Sequence, residues 1–109
     1  MKAEVYYWKD IKWLLELGAK DKPEHPTKEQ IKTDYVKLPV KFEIESGDEK
    51  KLDKIYATLN TDKNPMATSN MQKWIKDNEL THTSMSVGDI IRTKKGMYIC
   101  KDFGWEKVA

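Results

Sequence analysis

From Val36 to Ile44 the chain alternates without interruption: Val36, Leu38, Val40, Phe42 and Ile44 are apolar, and Lys37, Pro39, Lys41 and Glu43 between them are not. A period of two marks a strand with one face in the core and the other in water. Such a strand needs a pairing neighbour and a layer over its apolar face, so the rest of the chain must supply both. Pro39 cannot donate to a ladder, and Lys37 and Lys41 discourage further pairing, which predicts an edge strand.

The neighbour is at the front. Ala3 to Trp8 is aromatic and β-branched, with Ala3, Val5 and Tyr7 on one side and Glu4, Tyr6 and Trp8 on the other, and reads as a first strand. Asp10 then stands at an N-cap position before Ile11, Leu14, Leu15 and Gly18, which predicts a short helix from Asp10 to Leu17. Trp13 and Leu17 widen its apolar arc beyond one core contact. Ala19 to Pro26 reads as an exposed loop carrying His25, and Thr27 with Gln30 matches a capping box that starts a helical turn.

The covering layer follows the alternating strand. Ser46-Gly47-Asp48-Glu49 reads as a capping box, and Leu52, Ile55, Tyr56 and Leu59 continue it at helical spacing toward Asn60, a left-handed stop. Thr61 to Thr68 is a polar loop with Pro65. A third helix, capped by Ser69 or Asn70, turns Met71, Trp74 and Ile75 inward and ends near Asn78, with Leu80 docking back. Asp89 to Thr93, a turn at Lys94-Lys95-Gly96, Met97 to Lys101 and Phe103 to Val108 read as an antiparallel meander. At 109 residues the chain supports one core. The expectation is a single α+β domain, a small antiparallel sheet with two to three short helices packed on it.

Charge narrows the function classes. Nineteen of the twenty basic residues are Lys and only Arg92 is Arg, at a net charge of +2. Arginine supplies the fork that reads guanine edges, so sequence-specific nucleic-acid recognition is disfavoured, while non-specific phosphate attraction stays open. No apolar run approaches the ~20 residues of a membrane span, and no secretion signal is legible at the start, so a cytoplasmic protein without membrane contact is expected. The single cysteine, Cys100, reads as a buried strand residue.

The densest chemistry lies in Thr81 to Ile91, which holds His82, Thr83, Ser84, Ser86, Gly88 and Asp89. One reading makes His82 an acid/base, with Ser84, Ser86 or Thr83 as nucleophile and Asp89 as orienter. The other is structural: hydroxyls serve backbone groups, Gly88 takes positive φ, and Asp89 bonds turn amides before the strand begins. An extended segment would put His82, Ser84 and Ser86 on one face and Thr83, Met85 and Val87 on the other. His25, His82 and Cys100 lie too far apart in sequence for a short metal-ligand spacing, and no glycine-rich phosphate loop occurs. No cofactor, metal site or enzymatic activity is expected.

The same stretch carries a resemblance. His82-Thr83-Ser84-Met85-Ser86-Val87-Gly88-Asp89-Ile90-Ile91, the basic turn ending in Gly96, Tyr98-Ile99-Cys100 and Phe103-Gly104-Trp105-Glu106-Lys107-Val108 resemble the C-terminal signature of small uncharacterised proteins of phages, plasmids and microbial genomes. More loosely, they are similar to the YodL-like domain. Upstream, Leu59-Asn60 and Asn64-Pro65 also fit, so the resemblance covers residues 35 to 108, and Ile11 to Leu17 is where the chain departs. It implies a small mobile-element protein, of a group in which some members are associated with antirestriction, acting by contact with host or element machinery. No catalytic residue carries over.

Two binding functions follow. In the first, Trp8, Trp13 and Leu17 form a protein-contact surface for a host or mobile-element protein, with a second copy of the chain as a further candidate partner. In the second, Tyr6, Trp8, Lys9 and Lys12, or Arg92, Lys94 and Lys95 at the hairpin, bind single-stranded nucleic acid by stacking and charge.

Overall fold

The computed structural model describes residues 1–9 and 26–108. The expected helix from Asp10 to Leu17, with Lys12, Trp13 and Leu17, lies outside the described residues, as does His25.

Five strands form one antiparallel sheet: β1 (Lys2–Trp8), β2 (Tyr35–Glu43), β3 (Ile90–Thr93), β4 (Gly96–Cys100) and β5 (Trp105–Lys107), in the order β2-β1-β3-β4-β5. The alternating stretch is an edge strand, and its register against β1 shifts between Glu4 and Tyr6, opposite the segment that holds Pro39. Among the described residues three helices join the sheet, α1 (Lys28–Asp34), α2 (Glu49–Thr58) and α3 (Ser69–Asp77), with a short 3-10 turn at Pro65–Ala67. The α+β architecture is the one the sequence predicts.

The two faces of the sheet differ. Ala3, Val5 and Tyr7 are fully buried and share the main core with Leu38, Leu52, Ile55, Leu59, Met66 and Ile75, so α2 and α3 cover this side. On the other face Ile90 and Ile99 pack with Ile31 of α1 and with Tyr35, against the partly buried Tyr6, Trp8 and Met97. The helix begun at Thr27 is longer than a single turn, because both halves of the capping box form: Gln30 N–H donates to Thr27 Oγ1 and Thr27 N–H to Gln30 Oε1.

Several local signals resolve differently from expectation. Asp48, not Ser46, is the cap of α2, accepting from Lys51 N–H at 3.1 Å while Ser46 Oγ donates to its carboxylate at 2.7 Å. Thr68 caps α3 in place of Ser69 or Asn70. The left-handed residue is Glu79, at φ 61°, rather than Asn60. There the N–H of Leu80 reaches Ile75 O and that of Glu79 reaches Lys76 O, the bond pair that closes a helix onto a buried apolar residue. Phe103 is not in the last strand. Gly104 at φ +77° reverses the chain after Asp102, Lys101 N–H bonds Gly104 O, and the Phe103 side chain is left 96% exposed.

Candidate functional site

Between Leu80 and Ile90 the chain lies outside the strands. Gly88 N–H donates to Cys100 O, Asp89 O accepts from Cys100 N–H, and polar side chains from β1, β2 and the segment after α2 satisfy further carbonyls. Tyr7 Oη donates to Thr83 O at 2.8 Å, Asn64 Nδ2 to the same oxygen at 3.1 Å, Asn60 Nδ2 to Met85 O at 3.1 Å, and Tyr35 Oη to Gly88 O. Gly88 has φ 96°, as its place in the sequence predicts. The alternation expected here holds only in part, since Met85 is buried and Val87 is 40% exposed.

Asp89 is the knot of this segment. Its side chain is wholly buried, and it accepts from Trp8 N–H at 3.0 Å, Ser86 N–H at 2.8 Å and Ser86 Oγ at 3.3 Å. His82 Nε2 lies 3.1 and 3.0 Å from its two oxygens. Burial pushes the Asp89 carboxyl above the ordinary carboxylate range, against the pull of His82 and of the Ser86 and Trp8 amides. The imidazole stacks on Tyr7 and on Trp8, each with ring centroids 4.5 Å apart. Trp8 also donates from Nε1 to Val87 O at 3.3 Å, so this residue is engaged within the fold.

The His82–Asp89 pair has the orienting half of a triad. The other half is arranged differently. The Ser86 hydroxyl sits on the carboxylate, the Thr83 hydroxyl on Gln72, and Ser84 is exposed, while His82 Nδ1 is buried without a hydrogen-bond partner. A triad requires the nucleophile on that second ring nitrogen. The geometry present is that of a clasp joining the end of β1 to the entry of β3. Among the described residues no three His, Cys, Asp or Glu side chains group as a metal site, and no helix is long and apolar enough to cross a membrane.

A second constellation lies on the sheet face opposite the main core. Tyr6, Glu4 and Lys2 of β1 stand between Lys37 and Lys41 of β2 on one side and Arg92 of β3 on the other. Arg92 borders three open depressions. The first, about 340 Å³, is lined with Lys2, Glu4, Lys41 and Lys94. A second, about 260 Å³ and mainly apolar, has Tyr6, Ile31 and Met97 beside Lys28 and Lys32. The third, about 410 Å³, adds Lys95 and Lys107. Among the described residues Glu4 is the one carboxylate lining any of the three, and it holds Lys37 Nζ at 3.3 Å and Arg92 Nη1 at 3.8 Å.

The strand order thus brings together Tyr6, Arg92, Lys94 and Lys95, which the sequence proposed as a nucleic-acid surface. Lys9 is exposed just past β1, and Lys12 lies outside the described residues. Lys2, Lys28 and Lys32, which no local signal marks, join this surface, and Lys107, paired with Tyr98 on the main-core side, borders the third depression from its rim. The outward phase of the alternating strand marks Lys37 and Lys41 as solvent-facing, and the same pattern is satisfied by an edge strand alone.

Part of the chain is similar to a viral protein. Over 57 residues it is 37% identical to an uncharacterised protein of Acanthamoeba polyphaga mimivirus. The match takes in 52% of each chain, so this chain spans about half the length of the curated relative it matches. No family model and no solved structure matches.

Proposed function

We propose that this protein is a non-enzymatic binding module of a virus or other mobile element, and that its open sheet face holds single-stranded nucleic acid without sequence preference. The observation that carries this reading is the convergence on Arg92: basic side chains from α1, from four of the five strands (β1, β2, β3 and β5) and from the β3–β4 turn border adjoining depressions, with Glu4 as the only acid among their described lining residues. Lysine suits this task, because a mobile point charge follows a phosphate backbone without selecting bases. Tyr6 and Met97 give the mainly apolar depression a floor on which a base can stack. The YodL-like resemblance and the mimivirus match support a mobile-element setting.

Fluorescence anisotropy with a labelled oligothymidylate tests the proposal. Binding should be measurable near 50 mM salt and fall steeply by about 200 mM, with a slope of roughly −0.7 per phosphate neutralised. Arg92→Gln combined with Lys94→Gln should weaken binding and flatten the slope. No binding at low salt, or an unchanged slope in the double variant, would sink the idea.

A further inference from the structure

We infer that the face around Phe103 docks a segment of a partner protein that presents an apolar side chain flanked by Lys or Arg. The large hydrophobic side chains exposed among the described residues are Tyr56, Val87 and Phe103, at 36%, 40% and 96%. They gather at one place. Tyr56 and Val87 line a groove of about 240 Å³ together with Trp105, and Phe103 stands on the turn between Asp102 and Gly104, which line the same groove. Exposed apolar side chains scattered singly need no explanation, but a cluster beside a groove marks a contact surface.

The cluster is held in place. Trp105 meets Tyr56 edge to face, with centroids 6.5 Å apart, and its Nε1 donates to Asp53 Oδ1 at 2.9 Å, so one wall of the groove is fixed. The bond from Lys101 N–H to Gly104 O at 3.0 Å closes the turn that carries Phe103 outward. A surface ordered in advance loses less entropy on binding.

Charge selects the occupant. Asp53 and Asp102 line the groove, and the Glu49 carboxylate oxygens lie 4.0 Å from where a Cβ at Gly104 would stand. Lys101 is the basic residue of the lining, and its Nζ is 3.5 Å from Glu106 Oε2. A phosphate backbone or an anionic membrane would be repelled here, and a two-fold contact with a second copy would set acid against acid. A cationic peptide carrying an apolar anchor complements both the charge and the groove. The site is distinct from the lysine-rich face, which lies on the other side of the sheet.

The experiment is panning of a random peptide display library on immobilised wild type and on Phe103→Ser, followed by titration of the enriched peptide as a synthetic probe. The enriched sequences should carry an aromatic or aliphatic residue beside Lys or Arg. Their affinity should fall roughly tenfold in Phe103→Ser and severalfold in Asp102→Asn, as expected for an anchor and a rim charge. Phe103→Ser should keep the melting temperature and the oligonucleotide binding of wild type, which separates this surface from the proposed nucleic-acid face. Absence of a consensus, an acidic consensus, or equal affinity for Phe103→Ser overturns the inference. So does a wild-type dimer in sedimentation that Phe103→Ser makes monomeric, because the occupant would then be a second copy.

Discussion

Asp89 accepts a backbone N–H from Trp8, 81 positions earlier in the chain, at 3.0 Å, and so ties the end of β1 to the loop that enters β3. The same carboxyl receives Ser86 and faces His82, which makes one side chain the common acceptor of donors from two elements. Asp89→Ala would leave those donors buried without an acceptor. The expected loss is about 3 kcal/mol or more, measured as a lower midpoint in urea with an unchanged slope. A loss below about 1 kcal/mol would show that the clasp is dispensable.

His82→Ala separates the clasp from chemistry. Removing the ring takes away both stacks, on Tyr7 and on Trp8, together with the contact to Asp89, so stability should fall by about 2 to 4 kcal/mol. Oligonucleotide and peptide binding should persist at temperatures where the variant is folded. Loss of binding in a folded His82→Ala protein would assign the histidine a role beyond structure.

Tyr35 offers a smaller and cleaner test. Its hydroxyl donates to Gly88 O, where φ 96° suits glycine and holds the carbonyl in place. Tyr35→Phe should cost about 1 to 2 kcal/mol, the loss of a buried hydrogen bond with its acceptor left unpaired. Thermal melts of the two proteins under one buffer condition measure it.

How much of this was legible in the sequence depends on the range of the signal. Val36 to Ile44 announced an edge strand because a period of two and a proline are local facts, and the structure places it at the sheet edge. Caps were legible only as neighbourhoods: Ser46 and Asp48 both offer an oxygen, and the helix takes Asp48 because Ser46 is used to brace it. Propensity places Phe103 in a strand, and a single left-handed glycine, Gly104, overrides it. Asp89 bonds the Ser86 turn amide as the local pattern predicts, whereas its bond from Trp8 and the gathering of lysines around Arg92 follow from strand order, which no local pattern encodes.

Cys100 gives a pH-dependent test. It is 5% exposed, and burial, followed by the fields of Asp89, Asp53 and Asp102, pushes its thiol up to about 11. The folded protein should therefore react slowly with a disulfide reagent at pH 8, at a rate set by opening of the fold, and rapidly in denaturant. Because the folded pKa is raised, the associated stability is fully present below the unfolded thiol value and is lost as pH rises through about 11. Cys100→Ser should flatten that decline. Fast labelling of the folded protein at pH 8 would refute the burial argument.

Glu4 is the acid at the centre of the lysine-rich face, pairing Lys37 on β2 with Arg92 on β3 from the strand between them. For a phosphate to reach Arg92 it must compete with this carboxylate, so Glu4 opposes the proposed binding twice, by occupying the cation and by repelling the ligand. Glu4→Gln keeps the side-chain size and removes both effects. Its pairs are partly exposed, so the stability change should stay below about 1 kcal/mol. Oligonucleotide affinity near 50 mM salt should rise severalfold, and the gain should shrink as salt screens the face. An affinity unchanged or weakened by Glu4→Gln would mean that the ligand, if bound at all, does not lie across Arg92.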